Sequence, residues 1–412
     1  MKAIHYHHEP KPMKKLKPSS LIILIVISTY LFSLSACSSD STESETSSKI
    51  LSIDLVEAYS NRKEVPLSAF AESVKYIPLE TLEESLISRA PYFQITDENI
   101  IVSAHQQVLA FNRSSGSFLR KVGTRGEGPG EYMQSDRYFD ESTGYTFVSA
   151  RNGKHMSLDA NGEIKLTLST PSSDSTLVMG FAQINDSTFV GFHGNYNCNQ
   201  KYKLVFFNED GEELKLIQNH ETCLIESPNS IHILGREGVF SKFGNQTYFK
   251  ETFNDTIFQI VNMDLEPEVV FHLGANGIPY QERLTYSSSE SKLEFFETKL
   301  LDVAQKHIFF ELTTQDQTFH GVFNRETRET LLSDIGRAEI HGFVNDLDNF
   351  LPLIPQYVTD NNQLVGYIEA PDVLDWFKEN PEKAAQLPAN LKKLGEMKPD
   401  DNPVVMIVDL KD

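Results

Sequence analysis

Five short segments of this 412-residue chain repeat one pattern, an apolar run, a polar turn and a second apolar run, and their spacing constrains the fold more than any single motif does. The first runs are Val108–Phe111, Met156–Leu158, Leu204–Phe207, Thr256–Ile260 and Gly321–Phe323, and turns such as Asp159-Ala160-Asn161-Gly162 and Asn208-Glu209-Asp210-Gly211 follow them. Their last residues, Phe111, Leu158, Phe207, Ile260 and Phe323, lie 47, 49, 53 and 63 positions apart. A repeat of that length holding several strand-sized runs is the size of one propeller blade, about 40–50 residues in the known blade families.

Runs rich in Val, Ile, Phe, Tyr and Leu, bounded by turn formers, read as strands. Blade 1 supplies three, Ile100–Ser103, Val108–Phe111 and Phe118–Val122, and blades 2 to 5 supply four each between Arg137 and Ser333. Blade 6 has to be assembled from both ends of the chain, with Glu339–Phe343, Leu364–Ile368 and Val404–Leu410 joined by Val74–Ile77. Such closure leaves few bare sheet edges, the standing hazard of β proteins. The expected fold is all-β, a six-bladed β-propeller of four-stranded antiparallel blades closed by N- and C-terminal strands. The one helical stretch, Asp372–Asn380 and Glu382–Leu394 with Pro381 and Pro388 interrupting it, reads as a small insertion over about 371–395 in the last blade. Its Trp376, the sole tryptophan, reads as a packing anchor.

The first residues read as an address. Lys11, Lys14, Lys15 and Lys17 precede an apolar stretch from Leu21 to Leu34, and then Leu34-Ser35-Ala36-Cys37 follows. That order is a secretory signal, too short for a spanning helix of about 20 apolar residues. The four residues at its end resemble the lipobox of bacterial lipoproteins, so residues 1–36 are expected to be removed and Cys37 to carry lipid. His5, His7 and His8 precede Met13, a plausible initiator, and receive no metal role. Loss of residues 1–36 leaves 32 basic and 57 acidic residues, a net charge of −25. A chain so acidic gains nothing from phosphate backbones, which argues against nucleic acid. Ser38 to Ser48 contains only Ser, Thr, Asp and Glu, so residues 37–49 read as a flexible acidic tether. Residues 50–412 then form one propeller domain.

Several segments resemble, in order, the six-bladed β-propeller lipoproteins abundant in Bacteroidetes: Val74-Lys75-Tyr76-Ile77-Pro78-Leu79-Glu80-Thr81, Gly123 to Tyr132, Phe253-Asn254-Asp255-Thr256-Ile257, Asn345-Asp346-Leu347-Asp348 and Asp401-Asn402-Pro403-Val404. The resemblance spans about residues 74 to 411. It implies a ring at the cell envelope and no particular reaction. The acids Asp40, Glu43 and Glu45 just after Cys37 are similar in placement to surface-export signals of some of these lipoproteins.

Chemistry-bearing motifs are sparse. The loop Gly123 to Gly130 lacks the ending of a phosphate-binding P-loop and is read as a shaped inter-blade loop whose Gly126, Gly128 and Gly130 need positive φ. Asn345, Asp346 and Asp348 offer oxygens but too few for Ca²⁺, and are read as turn formers, as are Asn208 and Asn254-Asp255. No nucleophile elbow, zinc helix or Cys/His cluster occurs after Cys37, and no catalytic, cofactor or metal residue is assigned. Asp136, Glu237 and Glu251 are the acids that convergence on a central channel would turn into a glycosidase pair. Cys198 and Cys223 are expected to form a disulfide: in a two-residue hairpin closed at Asp210-Gly211 they face each other at a non-hydrogen-bonded pair, about 4.5 Å apart at Cα. The expected function is a non-enzymatic envelope module, anchored by Cys37 to the outer membrane with a periplasmic or surface-exposed propeller, binding an envelope protein, glycan or peptide. Its rival is a hydrolytic, carbohydrate-active propeller with channel carboxylates.

Overall fold

The computed structural model of the chain describes residues 50–88, 91–104, 107–171, 178–223, 237–284, 294–337 and 340–411, with backbone alone at 136–137, 335–337 and 340–341. The expected signal, Cys37 and the tether fall outside these residues.

The chain enters at β1 (Leu51–Asp54), turns into the short helix α1 (Leu55–Ser60), whose Glu57 N–H is capped by the Asp54 carboxylate, and reaches β2 (Ala71–Pro78). Six four-stranded meanders follow. Blade 1 holds β3 (Tyr92–Ile95), β4 (Asn99–Ala104), β5 (Gln107–Asn112) and β6 (Phe118–Lys121), and blade 2 holds β7 (Gln134–Asp140), β8 (Tyr145–Ser149), β9 (Lys154–Leu158) and β10 (Ile164–Ser169). Blade 3 holds β11 (Val178–Asn185), β12 (Thr188–His193), β13 (Tyr202–Phe207) and β14 (Glu213–Gln218). Blade 4 holds β15 (Gly238–Phe243), β16 (Gln246–Glu251), β17 (Thr256–Val261) and β18 (Asp264–His272). Blade 5 holds β19 (Glu297–Val303), β20 (His307–Thr314), β21 (Gln317–Asn324) and β22 (Thr330–Leu332), with the short pair β23 (Ile335–Arg337) and β24 (Ile340–Gly342) beside β21. Blade 6 holds β25 (Pro355–Val358), β26 (Gln363–Ile368) and β27 (Val404–Leu410), and β2 from the other end of the chain completes it as the outermost strand.

The six-bladed ring and its two-ended closure are as the sequence predicts. Three assignments change. The innermost strand of blade 1 is β3, which the apolar count passed over because Gln94 interrupts it. The described part of the expected strand Glu339–Phe343 does not open blade 6: β24 pairs in parallel with β21 of blade 5, and β25 is the inner strand of blade 6. Lastly, β1 is an unforeseen fifth strand of blade 4, pairing in parallel with β18 from Leu51↔Val269 to Asp54↔His272. Residues 50–70 therefore strap three blades together. After β1 and α1, Lys63 bridges Ser333 and Pro66 bridges Val344 on the way to β2.

The core explains why the middle strands read as unbroken apolar runs. Each is covered on both faces, so alternate residues go to alternate neighbours. On β27, Val404, Met406 and Val408 pack toward blade 5 while Val405 and Ile407 pack toward blade 1. On β13, Leu204 and Phe206 meet blade 4 while Val205 and Phe207 meet blade 2. The insertion between β26 and β27 contains α2 (Ala370–Glu379), α3 (Pro381–Ala384) and α4 (Ala389–Lys392). Its Val373, Trp376 and Leu391 join the blade 5/6 core, and Trp376 stacks edge-on to Phe350 at 4.7 Å. Among the described residues no helix is long and apolar enough to cross a membrane.

Cys198 and Cys223 are joined in a disulfide with Cα atoms 5.5 Å apart. The expected route to it is corrected. The middle of the β13/β14 ladder keeps the predicted register, Leu204↔Ile217, but it slips at both ends and stops at Tyr202 and Gln218. The turn spans Asn208 to Glu212 rather than two residues, with Glu212 N–H donating to the Asn208 side chain at 2.9 Å. Cys198 lies outside the ladder in a left-handed conformation, so the bridge clips two loops. The Gly-rich loop is corrected too. Gly123 and Gly130 take positive φ, whereas Gly126 and Gly128 make room for the Glu131 carboxylate, which accepts the Gly128 N–H at 2.8 Å.

The disulfide closes a separation of 25 residues, a constraint that removes about 3 kcal/mol of unfolded-chain entropy. Replacing both cysteines by serine should lower the free energy of unfolding by that much, with a correspondingly lower denaturation midpoint, and reduced wild-type protein should fall to the same midpoint. Equal midpoints for oxidised wild type and the double variant would contradict this.

Candidate functional site

The inner strands of all six blades, β3, β7, β11, β15, β19 and β25, contribute to one central cavity of about 770 Å³. Its walls carry Tyr92, Tyr138, Phe139, Phe181, Phe240 and Tyr357. The Tyr92 and Tyr357 rings lie 5.9 Å apart, and Tyr138 and Phe181 of the wall cluster with Phe147, which meets Phe181 edge-on. Gly180 opens the β11 side, where an added Cβ meets nothing within 4 Å.

Where the inner strands end and turn into the second strands, carboxylates converge. Asp140 and Glu141 come from blade 2, Asp302 from blade 5 and Asp360 from blade 6, together with Lys242 of blade 4. Asp360 ties three alternate blades at the axis, because its N–H donates to Glu141 Oε2 while its Oδ1 accepts the Gly244 N–H at 2.9 Å. Asp302 has both oxygens engaged: Oδ1 by the Ser241 hydroxyl and the Val303 N–H at 2.9 Å, Oδ2 by the Val358 N–H at 2.7 Å. Asp140 accepts from Lys242 Nζ at 2.9 Å, Thr143 Oγ1 at 2.7 Å and Ser142 Oγ at 2.8 Å.

These neighbours titrate apart. Burial alone would raise Asp140, but the hydrogen bond and charge of Lys242, with Thr143 and Ser142, outweigh it and hold the carboxyl below its ordinary range. Burial, reinforced by the charges of Asp360, Asp302 and Asp140, pushes Glu141 up to about 8. Burial likewise pushes Asp302 up to about 7 against its three hydrogen bonds. Glu141 Oε1 is buried with no hydrogen-bond partner. Two further buried polar atoms, Gln94 Nε2 and Ser103 Oγ, share that state and belong to residues that line the cavity and are 0% and 5% exposed. The Gln94 carbonyl is occupied by Thr146 Oγ1 at 2.9 Å.

Of the acids singled out from sequence, Glu237 and Glu251 do not converge here. Glu237 is paired with Arg283, itself fully buried, whose Nε donates to Glu237 Oε1 at 2.8 Å. Glu251 pairs with Lys203 Nζ at 2.5 Å. The side chain of Asp136 and the whole of Cys37 lie outside what is described. Asn345, Asp346 and Asp348 act as fasteners: the Tyr76 hydroxyl donates to Asp348 at 2.7 Å and accepts from Asn345 Nδ2 at 2.5 Å, and Asp346 accepts the Ser68 N–H at 2.9 Å. Asn254 and Asn208 cap their turns through side-chain oxygens. Among the described residues no cluster of three or more His, Cys, Asp or Glu could hold a metal. The signal that would have found Glu141 and Asp360 is the blade repeat itself, since both occupy the turn after the innermost strand.

A family model described as a domain of unknown function, DUF4934, matches residues 50–409. A crystallised protein of Bacteroides fragilis NCTC 9343, described as exported, is similar with a TM-score of 0.64 and 14% identity, covering 88% of this chain and 100% of that one. At that identity the likeness bears on the fold. Dihydro-heme d1 dehydrogenase NirN in complex with DHE matches over 58% of this chain and 56% of its own, at 11% identity and a TM-score of 0.32, too low for any argument. No curated protein matches.

A carboxyl raised in the folded state binds protons that the unfolded chain has released. The stability it contributes is present below the ordinary carboxylate pKa of about 4 and is lost as pH rises to about 8. Glu141→Gln keeps an acceptor for Asp360 N–H and removes the ionisation. Its Tm should exceed wild type by about 2–5 °C at pH 8 and converge with it near pH 5. A difference independent of pH would mean that Glu141 titrates normally.

Proposed function

This chain is a member of that family of domains of unknown function, and from a premise that fixes architecture but no chemistry we propose that it is a cell-envelope propeller, anchored through lipid on Cys37, that binds a ligand in its central cavity without altering it. One observation carries the reading. A cavity of about 770 Å³, within the roughly 300–1,000 Å³ of ligand sites, has aromatic walls and buried polar side-chain atoms left without protein partners. Such atoms cost about 1–3 kcal/mol each when unsatisfied, so a site that keeps them gains when a ligand pairs them. The envelope placement draws on the leader ending in Leu34-Ser35-Ala36-Cys37 and is in keeping with the exported neighbour from Bacteroides fragilis.

The hydrolytic rival draws on Glu141 and Asp360. It needs two carboxyl groups free to work on opposite sides of a bond, whereas each of these already has an oxygen committed to a backbone N–H of another blade. Asp140 and Asp302 are committed more fully. Binding is the reading these commitments favour.

Glycan and peptide arrays probed with the detergent-solubilised full chain should return saturable binding, and mass measurement should find the ligand intact. Gly180→Trp, which fills the cavity from a position with room for a side chain, should abolish that binding with little change in Tm. Ligand recovered cleaved would move the assignment to the hydrolytic rival, and binding that survives Gly180→Trp would remove the cavity reading. For the anchor, growth on alkyne-tagged palmitate should label the wild type and leave Cys37→Ala unlabelled.

A further inference from the structure

The cavity narrows its own choice of ligand by what it has already done with its charges. Lys242, the one lysine or arginine among the described lining residues, is spent on Asp140, and the Asp140 oxygens are filled by Lys242, Thr143 and Ser142. Asp302 holds three hydrogen bonds from the protein and Asp360 is tied to Gly244. Among the described residues an anion entering would find no uncommitted lysine or arginine on the lining and would meet carboxylates. A cation would find carboxylates already engaged by Lys242, a serine hydroxyl and backbone N–H groups. An apolar guest would bury Gln94 Nε2 and Ser103 Oγ still unpaired, at about 1–3 kcal/mol each.

What remains on offer is a donor at Gln94 Nε2, a donor-acceptor hydroxyl at Ser103 and the unpartnered Oε1 of Glu141, set among tyrosine and phenylalanine rings. Gln94 cannot turn away to water, being wholly buried with its carbonyl held by Thr146. Resting on the cavity-binding function proposed above, we propose that the ligand is neutral and hydroxyl-rich, a short saccharide chain whose C–H faces lie on the aromatic walls while its hydroxyls pair with Gln94, Ser103 and Glu141. A hydroxyl both donates and accepts, so one chemical group satisfies all three. Because burial and the surrounding carboxylates push Glu141 up to about 8, its carboxyl is chiefly neutral at pH 7 and serves as a donor. Ionisation above that pH removes the donor and adds a charge beside Asp360.

The test is calorimetric titration of the detergent-solubilised full chain with four probes: neutral oligosaccharides of glucose, mannose and xylose, an oligogalacturonide, spermidine and a trialanine peptide. A neutral oligosaccharide should bind with an affinity unmoved by salt, since no ion pair is involved. That affinity should fall as pH passes about 8 in wild type and hold steady in Glu141→Gln. Gln94→Leu should weaken it by about ten-fold or more, and Ser103→Ala, a smaller change that guards against misfolding, by a few-fold. If spermidine, the galacturonide or the peptide binds instead and Gln94→Leu or Gly180→Trp weakens it, the saccharide inference is overturned while the cavity-binding function stands. If no probe binds, or binding ignores Gln94→Leu, Ser103→Ala and Gly180→Trp alike, both are overturned.

Discussion

A propeller is held by one constraint, that the last blade must meet the first, and here the pairing of β2 with β27 meets it. Seven residue pairs, from Ala71↔Leu410 to Pro78↔Val404, join strands more than 300 residues apart in sequence. Without β2, blade 6 would expose the edge of β27, and Val405 and Ile407 would have a less complete partner in blade 1. The closure is reinforced by polar fasteners. Asn402 reaches the Glu80 and Ser85 carbonyls at 2.8 and 2.9 Å, Ser73 and Lys75 grip Asp409, and Tyr76 anchors the Asn345–Asp348 loop. Segments that look like ligand loops in the sequence are parts of the clasp.

Closure at the rim is matched by lacing at the axis. Because Asp360 links blade 6 to blades 2 and 4, and Asp302 links blades 4, 5 and 6, the inner strands are fixed relative to one another across the cavity as well as through their neighbours. Burying several carboxyls together is unfavourable for their ionised forms, which is why Glu141 and Asp302 are pushed upward. The same arrangement that stiffens the ring commits most of the charged groups at the cavity to partners within the protein, and those commitments are what select among ligand classes.

Much of the ring was legible in the sequence because middle strands covered on both faces must be apolar at every position. Val404–Val408 and Leu204–Phe207 announce themselves that way, and the spacing of such runs counts the blades. The strands that escaped notice are those with a polar or proline-marked inner face. The β3 strand carries Gln94 and β25 begins at Pro355, since innermost strands look into the cavity and need not be apolar. Strand β1 escaped because nothing in Leu51–Asp54 says which of six outer edges it will join. The Cys198–Cys223 pairing was reached through a hairpin register that holds only in the middle of the ladder, and the loops beyond it bring the cysteines together.

By itself the sequence determined the kind of architecture, its blade count, its two-ended closure and the absence of a familiar catalytic motif, all of which follow from local periodicity and turn chemistry. Only the tertiary structure decided which polar residues face the axis. Glu141, Asp302, Asp360 and Gln94 lie on four different blades and share no spacing, so nothing local distinguishes them from Glu237 or Glu251, which are spent on Arg283 and Lys203. A carboxylate's role depends on what the ring closes around it, and ring closure is a property of the whole chain.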